Sequence, residues 1–287
     1  MERKDPRLNA FRSDLADRRL KGEVQAQRFV EGERKRVGVP VSGLFKDSQK
    51  NEIQTECLLG EDLLIFEHEK TISWGQSLKD GYVGYIDTQA LYTPTTEPTH
   101  VVSVARTFQY LQSDLRGPKK CALSIGSKVN VVDIIEVRDT TYSILEDGTS
   151  VVSRHLAPIG IIYSDYVTIA QTLLHTPYLW GGVSGFGLDC SGLVQLSMML
   201  AGQSILRDTD MQRNTVGKQL TEDSPLQRGD LIFWKDHVAI MLDYQNIIHA
   251  SGNSMSVVIE PLKEVIARIA KKNQYPIARR RPFKEAA

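Results

Sequence analysis

The pattern of apolar residues changes once along this 287-residue chain, near Ile159, and that change constrains the fold more than any other feature. Before it, from Pro40 to Pro158, the apolar runs are short and separated by turn residues: Leu63-Leu64-Ile65-Phe66, Tyr82-Val83-Gly84-Tyr85-Ile86 and Val101-Val102-Ser103-Val104. Asp80-Gly81 and Asp147-Gly148 are hairpin signals, because tight turns between strands favour residues that tolerate positive φ. The text around them partly repeats, with Thr71-Ile72-Ser73-Trp74 before the first turn and Thr140-Thr141-Tyr142-Ser143-Ile144 before the second. Thr93-Pro94-Thr95-Thr96-Glu97-Pro98 between them reads as a linker. Two small β-barrels are expected, over residues 40–95 and 96–158. A lone domain of that size is marginally stable, so the two should pack together. Residues 1–39 mix charges with Leu15, Leu20, Val24 and Phe29, and are expected to form an arm docked on the rest.

After Ile159, Val167, Ile169, Ala170, Leu173 and Leu174 have helical spacing, followed by the breaker run Pro177-Tyr178-Leu179-Trp180-Gly181-Gly182. A second helix is expected from about Cys190, with Leu193, Val194, Leu196 and Met199 as its apolar face and Gly202 just past its end. Strand-like segments follow at Asp230–Trp234, His237–Leu242 and Ile247–Ser251, with connections short enough for antiparallel pairing. A last helix should begin at Pro261, with Leu262, Val265, Ile266 and Ile269 on one face. Helices first and an antiparallel sheet after make residues 159–287 an α+β domain.

Charge and cysteine usage narrow the class of function. Lys+Arg and Asp+Glu are both 35, and this balance lacks the basic excess of a nucleic-acid binder. No run approaches the roughly 18 apolar residues that span a bilayer, so neither nucleic acid nor membrane is expected as a partner. Met1 to Gly22 carry eleven charged side chains and no apolar stretch of signal-peptide type, which leads to the expectation of a cytoplasmic protein. Cys57, Cys121 and Cys190 are an odd number without a C-x-x-C pair, which fits a reduced compartment. Cys57 and Cys121 lie in β segments with no base nearby and read as filler. His68, His100, His155 and His175 show no metal spacing, and neither metal nor cofactor is expected.

Cys190 is different, because it stands in Gly187-Leu188-Asp189-Cys190-Ser191-Gly192 at a helix start. Unpaired N–H groups and the positive end of the helix dipole favour the thiolate there. The same N–H groups suit the oxyanion formed when a carbonyl is attacked. His237 opens one strand and His249 lies on the next, placed to be its neighbour if the hairpin closes near Tyr244-Gln245. Nucleophile, base and orienter would then be Cys190, His237 and His249. Singly, each reads as core filler or a satisfied structural histidine; the combination favours catalysis.

These stretches resemble the NlpC/P60 family of cysteine peptidases: Thr176-Pro177-Tyr178-Leu179-Trp180-Gly181-Gly182, Asp189-Cys190-Ser191-Gly192, Arg228-Gly229-Asp230-Leu231-Ile232-Phe233-Trp234 and His237-Val238-Ala239-Ile240. His249 in Ile247-Ile248-His249-Ala250-Ser251 falls where the family places its third catalytic residue. The resemblance covers residues 159–287 and implies a papain-like α+β fold. Upstream, Trp74-Gly75-Gln76, Asp80-Gly81-Tyr82-Val83-Gly84-Tyr85-Ile86 and Gln89-Ala90-Leu91 resemble the bacterial SH3-like domains that accompany these peptidases. The implied reaction is hydrolysis of the γ-D-glutamyl bond to a diamino acid in murein-derived peptides. Members with paired SH3-like domains resemble recycling enzymes that take L-Ala-γ-D-Glu-diamino-acid peptides with a free N-terminus.

Asp189 would raise the pKa of the adjacent thiol, so it either caps the helix or serves a further purpose such as holding the substrate ammonium. By resemblance Ser191 and Tyr178 line the substrate side, where the plainer roles are a helix-start residue and a packed aromatic. Asp208 and Thr209, in Arg207-Asp208-Thr209, match the stretch that touches the diamino-acid end; a solvated loop is the plainer role. Glu56 and Glu61 are candidates for a second carboxylate on the ammonium, and Tyr82 and Tyr85 for closing the pocket; all four equally suit ordinary strand or surface roles. Arg279-Arg280-Arg281 could attract an anion, but a solvated strand end is the plainer reading. Rival readings are a catalytic zinc held by Cys190, His237 and His249, a related amidase or acyltransferase, and a wall-peptide binding module without catalysis.

Overall fold

The computed structural model describes residues 4–160 and 165–283. Residues 1–3 of the expected arm, and 161–164 and 284–287 of the expected C-terminal domain, lie outside the described residues. The chain divides between residues 161 and 162 into two compact units, close to the change of pattern in the sequence.

The first unit is built of β-strands with three short 3-10 turns among its described residues. Seven antiparallel strands form one sheet in the order Ile53–Leu58, Val41–Phe45, Val83–Asp87, Ile72–Ser77, Asp62–His68, Glu33–Val37 and Leu91–Tyr92. The Asp80-Gly81 turn closes the hairpin between Ile72–Ser77 and Val83–Asp87, with Gly81 at φ +79°. Asp147-Gly148 does the same between Thr140–Leu145 and Ser150–Val152, with Gly148 at φ +77°. That second hairpin belongs to a five-stranded sheet, accompanied by a three-stranded one. Val102, Leu123, Val129, Leu145 and Val151 form the core there, and Leu59 from the first region packs against it, so the two β regions share apolar surface as expected. Among the described residues the sheets end in free edges and do not close by hydrogen bonding into the two expected barrels.

Residues 4–39 are not an arm but part of the first unit. Glu33–Val37 is an interior strand, paired with Asp62–His68 on one side and Leu91–Tyr92 on the other. Leu15 packs with Ala10, Phe66 and Trp74, and Leu15–Asp17 pairs in parallel with Arg28–Val30. The Glu33-Arg34-Lys35-Arg36 charge run hid the strand, because its charges are satisfied internally. Buried Arg36 donates to Asp62 Oδ1 at 2.7 Å and to Glu97 Oε2 at 2.8 Å, and through Nη1 to the Thr96 carbonyl. These contacts also tie down the linker.

The second unit holds a six-stranded antiparallel sheet in the order Lys218–Gln219, Ala278–Arg281, Leu231–Phe233, Val238–Met241, Asn246–Ser251 and Ser256–Pro261. Four α-helices join it among the described residues: α1 Tyr166–Thr172, α2 Cys190–Leu200, α3 Thr209–Thr215 and α4 Leu262–Ala270. Asp165 caps α1 and Asp189 caps α2, each accepting a first-turn N–H. Gly202, at φ +76°, follows the end of α2. α4 lays Leu262 and Val265 on a core of Ile232, Trp234, Ala239, Met241 and Ile247, with Ile266 and Ile269 at its margin. Strand alternation puts those sheet residues on one face. Ala278–Arg281 lies inside the sheet rather than at a solvated end: Arg281 donates to both oxygens of buried Asp230 at 2.7 Å.

Candidate active site

The first turn of α2 places the nucleophile. Its ladder begins with the Leu193 N–H bonding the Asp189 carbonyl, and Asp189 Oδ1 caps the Gly192 N–H at 2.7 Å. The N–H groups of Cys190 and Ser191 precede that ladder and are therefore suited to a developing oxyanion. Gly192 is dictated by contact, since a Cβ there would collide with the carbonyl oxygen of Gly182. The Gly181-Gly182 loop is thereby pressed against the helix start, and the Gly181 N–H donates to Asp189 Oδ2 at 2.9 Å.

Cys190 is buried, and burial pushes its thiol up to about 11, with the Asp189 charge acting in the same direction. The Val238 N–H, the Thr209 hydroxyl and Arg207 oppose the shift. The helix start alone favours the thiolate, but in the substrate-free site burial and Asp189 outweigh it, and the resting sulfur is a thiol. It donates weakly to the Asp236 carbonyl at 3.9 Å and lies 3.8 Å from Thr209 Oγ1. Both chain neighbours of His237 thus touch the sulfur: Asp236 through its carbonyl, Val238 through its N–H.

His237 Nε2 and His249 Nδ1 are hydrogen-bonded at 2.7 Å, confirming the strand adjacency read from the sequence. Burial pushes His237 down to about 3, and the neighbouring His249 and Arg268 add to the shift against the opposing Glu260. Trp234 packs beside His237, with ring centroids 5.5 Å apart. His249 Nε2 reaches Glu260 Oε2 at 2.8 Å, and Arg268 grips both Glu260 oxygens at 2.6 and 2.7 Å. Both nitrogens of His249 are therefore engaged, which leaves it none to share a zinc ion with Cys190 and His237.

Asp189 does cap the helix, and it carries a second structural bond. Arg207, with 1% of its side chain exposed, binds its two oxygens at 3.0 and 2.6 Å and donates to Ser191 Oγ at 2.7 Å. Five donors converge on the carboxylate, counting Ser191 Oγ at 3.2 Å, so a substrate ammonium would be a sixth. Arg207-Asp208-Thr209 is not a solvated loop: Arg207 is buried, Asp208 precedes α3, and Thr209 opens α3 beside the sulfur. Ser191 is buried and turned toward the Asp189–Arg207 pair. Half-buried Tyr178 has its phenol pushed up to about 12, first by burial and then by the Cys190 and Asp189 charges, which places it at the same site.

In the first unit, Glu56 lies buried on Ile53–Leu58, and the Tyr82 hydroxyl donates to Gln54 Oε1 of that strand at 3.3 Å. Glu61 is buried between strands, where Oε2 accepts from Lys79 Nζ at 3.0 Å and from the Leu58 N–H at 3.1 Å. The Tyr85 hydroxyl accepts from Arg12 Nη1 at 3.0 Å. Glu61 and Tyr85 thus already serve their own β unit. Sequence reasoning missed Glu260, Arg268 and the buried role of Arg207. Glu260 and Arg268 carry no local motif, and all three act through contacts between separate elements.

A buried thiol at a helix start, flanked by a hydrogen-bonded imidazole pair, defines a thiol hydrolase of cysteine-peptidase type. Residues 175–272 match the NlpC/P60 family, and residues 44–91 match the bacterial dipeptidyl-peptidase Sh3 domain. The chain is 36% identical over 114 residues to the probable endopeptidase NlpC of Escherichia coli, covering 34% of this chain and 73% of that protein. It is 41% identical over 108 residues to dipeptidyl-peptidase 6 of Lysinibacillus sphaericus, a match spanning 37% of this chain but only 40% of that relative. It is 28% identical over 242 residues to a γ-D-glutamyl-L-lysine dipeptidyl-peptidase of Bacillus cereus, covering 74% and 71% of the two chains. The crystal structure of an NlpC/P60 family protein from Bacillus cereus shares the fold, with a TM-score of 0.72 at 20% identity over 87% of this chain and 99% of that one. The chain belongs to the NlpC/P60 family. It is a cysteine peptidase.

Proposed function

We propose that this enzyme hydrolyses the γ-D-glutamyl–diamino acid bond of peptides derived from bacterial cell wall, with Cys190 as nucleophile, His237 as base and His249 as its orienter. The observation that carries the reading is the His237–His249 bond beside a thiol at the start of α2. The name of the Bacillus cereus relative, a γ-D-glutamyl-L-lysine dipeptidyl-peptidase, supports the bond chosen. The favoured substrates are L-Ala-γ-D-Glu-diamino-acid peptides with a free N-terminus, which makes this a murein-peptide recycling enzyme of the cytoplasm. Asp189, Ser191 and Tyr178 would meet the L-Ala end, and Asp208 and Thr209 the diamino acid.

Product analysis on free and N-acetylated L-Ala-γ-D-Glu-meso-diaminopimelate tests this. The free peptide should release L-Ala-D-Glu, and acetylation should remove most of that activity, because a carboxylate lined up for an ammonium would lose its partner. Equal rates on the two peptides would refute the free-N-terminus reading. No cleavage of either would favour an amidase, an acyltransferase or a binding protein.

A further inference from the structure

The two histidines do not end the hydrogen-bonded chain that starts at Cys190. Ile247 and His249 share a face of their strand, and Glu260, in register with Ile247, lies on the same face, the one covered by α4. Arg268 reaches across from α4 to hold both Glu260 oxygens. We propose that Glu260, clamped by Arg268, is a positioning residue that fixes which nitrogen of each histidine carries a proton, and so leaves His237 ready to act as base toward Cys190. This rests on the peptidase reading above.

The argument runs inward from the carboxylate. Arg268 holds Glu260 ionised, down at about 2, and an ionised carboxylate can only accept. His249 Nε2, at 2.8 Å, must therefore carry the hydrogen. Burial keeps His249 neutral, so its Nδ1 is bare and accepts from His237 Nε2–H. Neutral His237 then has a bare Nδ1, the nitrogen left over for the thiol. In the reaction Nδ1 takes the Sγ proton as sulfur bonds to the carbonyl carbon. It passes that proton to the leaving amine as the C–N bond breaks. Water then adds to the thioester, giving a proton to Nδ1 that returns to departing Sγ. Without Glu260, His249 is free to reverse its tautomer, which turns His237 Nδ1 from an acceptor into a donor, unable to take the thiol proton.

With His249 neutral, the charges acting on His237 are those of Glu260 and Arg268, and they act with opposite signs. The test measures kcat, KM and the acid limb of the pH profile for Glu260→Ala, Glu260→Gln and Arg268→Gln. Glu260→Ala should lose about 100-fold in kcat, the low end of what a general base is worth, with KM nearly unchanged. In Glu260→Gln an amide oxygen can still take the position that accepts from both Arg268 and His249, so this variant should recover part of the loss. Its acid limb should move to lower pH, whereas that of Arg268→Gln should move to higher pH. The two charges alone give opposite shifts; the relay is read in the recovery by Glu260→Gln, which removes the same charge as Glu260→Ala but keeps an acceptor for His249. No recovery in Glu260→Gln, identical limbs in Glu260→Gln and Arg268→Gln, or wild-type kcat in Glu260→Ala, would overturn the proposal. Should Glu260→Ala not fold, the two Gln variants decide it. The pH dependence of Cys190 alkylation by iodoacetamide, followed by mass on the Cys190 peptide, reads the same relay without substrate. Recovery by Glu260→Gln there, in an enzyme that cleaves no wall peptide, would retain the relay and reject the assigned substrate.

Discussion

Replacing Arg207 with methionine keeps most of the side-chain bulk and removes the charge opposite Asp189. Arg207 is 1% exposed and Asp189 10% exposed as side chains, and the two are joined by bonds of 3.0 and 2.6 Å. Breaking a buried pair from one side strands the other charge, at a cost of about 3–5 kcal/mol. In a unit of this size that lowers its melting transition by about 10 °C or more. Arg207 also holds the Cys190 thiol down against burial and Asp189, so its loss should slow Cys190 alkylation at neutral pH. Asp189→Asn keeps a capping side chain but removes the stranded charge, so the double variant should recover stability over Arg207→Met alone. A double-mutant cycle by denaturant unfolding should show a coupling of about 1–3 kcal/mol. The reasoning fails if Arg207→Met melts with the wild type, or if Asp189→Asn adds its full cost to that of Arg207→Met.

The remaining predictions concern pH. His237 is held neutral at about 3 in the folded chain against an ordinary value of 6.5, so the unfolded chain binds its proton first as pH falls. Stability should therefore decline from about pH 6.5 downward, by up to about 1.4 kcal/mol per pH unit for this one group, before most carboxylates titrate. Melting temperatures of the wild type and His237→Asn from pH 7 to 5 check this, and parallel curves would contradict it. With the thiol at about 11, Cys190 alkylation should rise about tenfold per pH unit between pH 6 and 8, because only the growing thiolate fraction reacts; a level rate there would mean a resting thiolate.

What the sequence revealed was local. Asp80-Gly81 and Asp147-Gly148 marked real hairpins because the turn chemistry is contained in the turn. Asp189-Cys190-Ser191-Gly192 marked a helix start because cap and ladder lie within one turn. His237 and His249 were paired correctly because the connection between their strands is short. What stayed hidden depends on distant partners. Glu33–Val37 reads as a charged arm until Arg36 meets Asp62 and Glu97. Arg207 reads as a solvated loop until it meets Asp189. Glu260 and Arg268 gain meaning only from the register that sets Glu260 opposite Ile247 and from the docking of α4. The thiol's upward shift was legible only in part, through the neighbouring charge of Asp189. Its largest cause is burial, which a helix-start motif does not report.

The central claim is that Cys190 carries the reaction, and product mass spectrometry on wild type and Cys190→Ala tests it most directly. Both proteins would be incubated with L-Ala-γ-D-Glu-meso-diaminopimelate after their melting curves have been matched. The account predicts that only the wild type releases L-Ala-D-Glu, while Cys190→Ala still binds the peptide. Turnover by well-folded Cys190→Ala would contradict it.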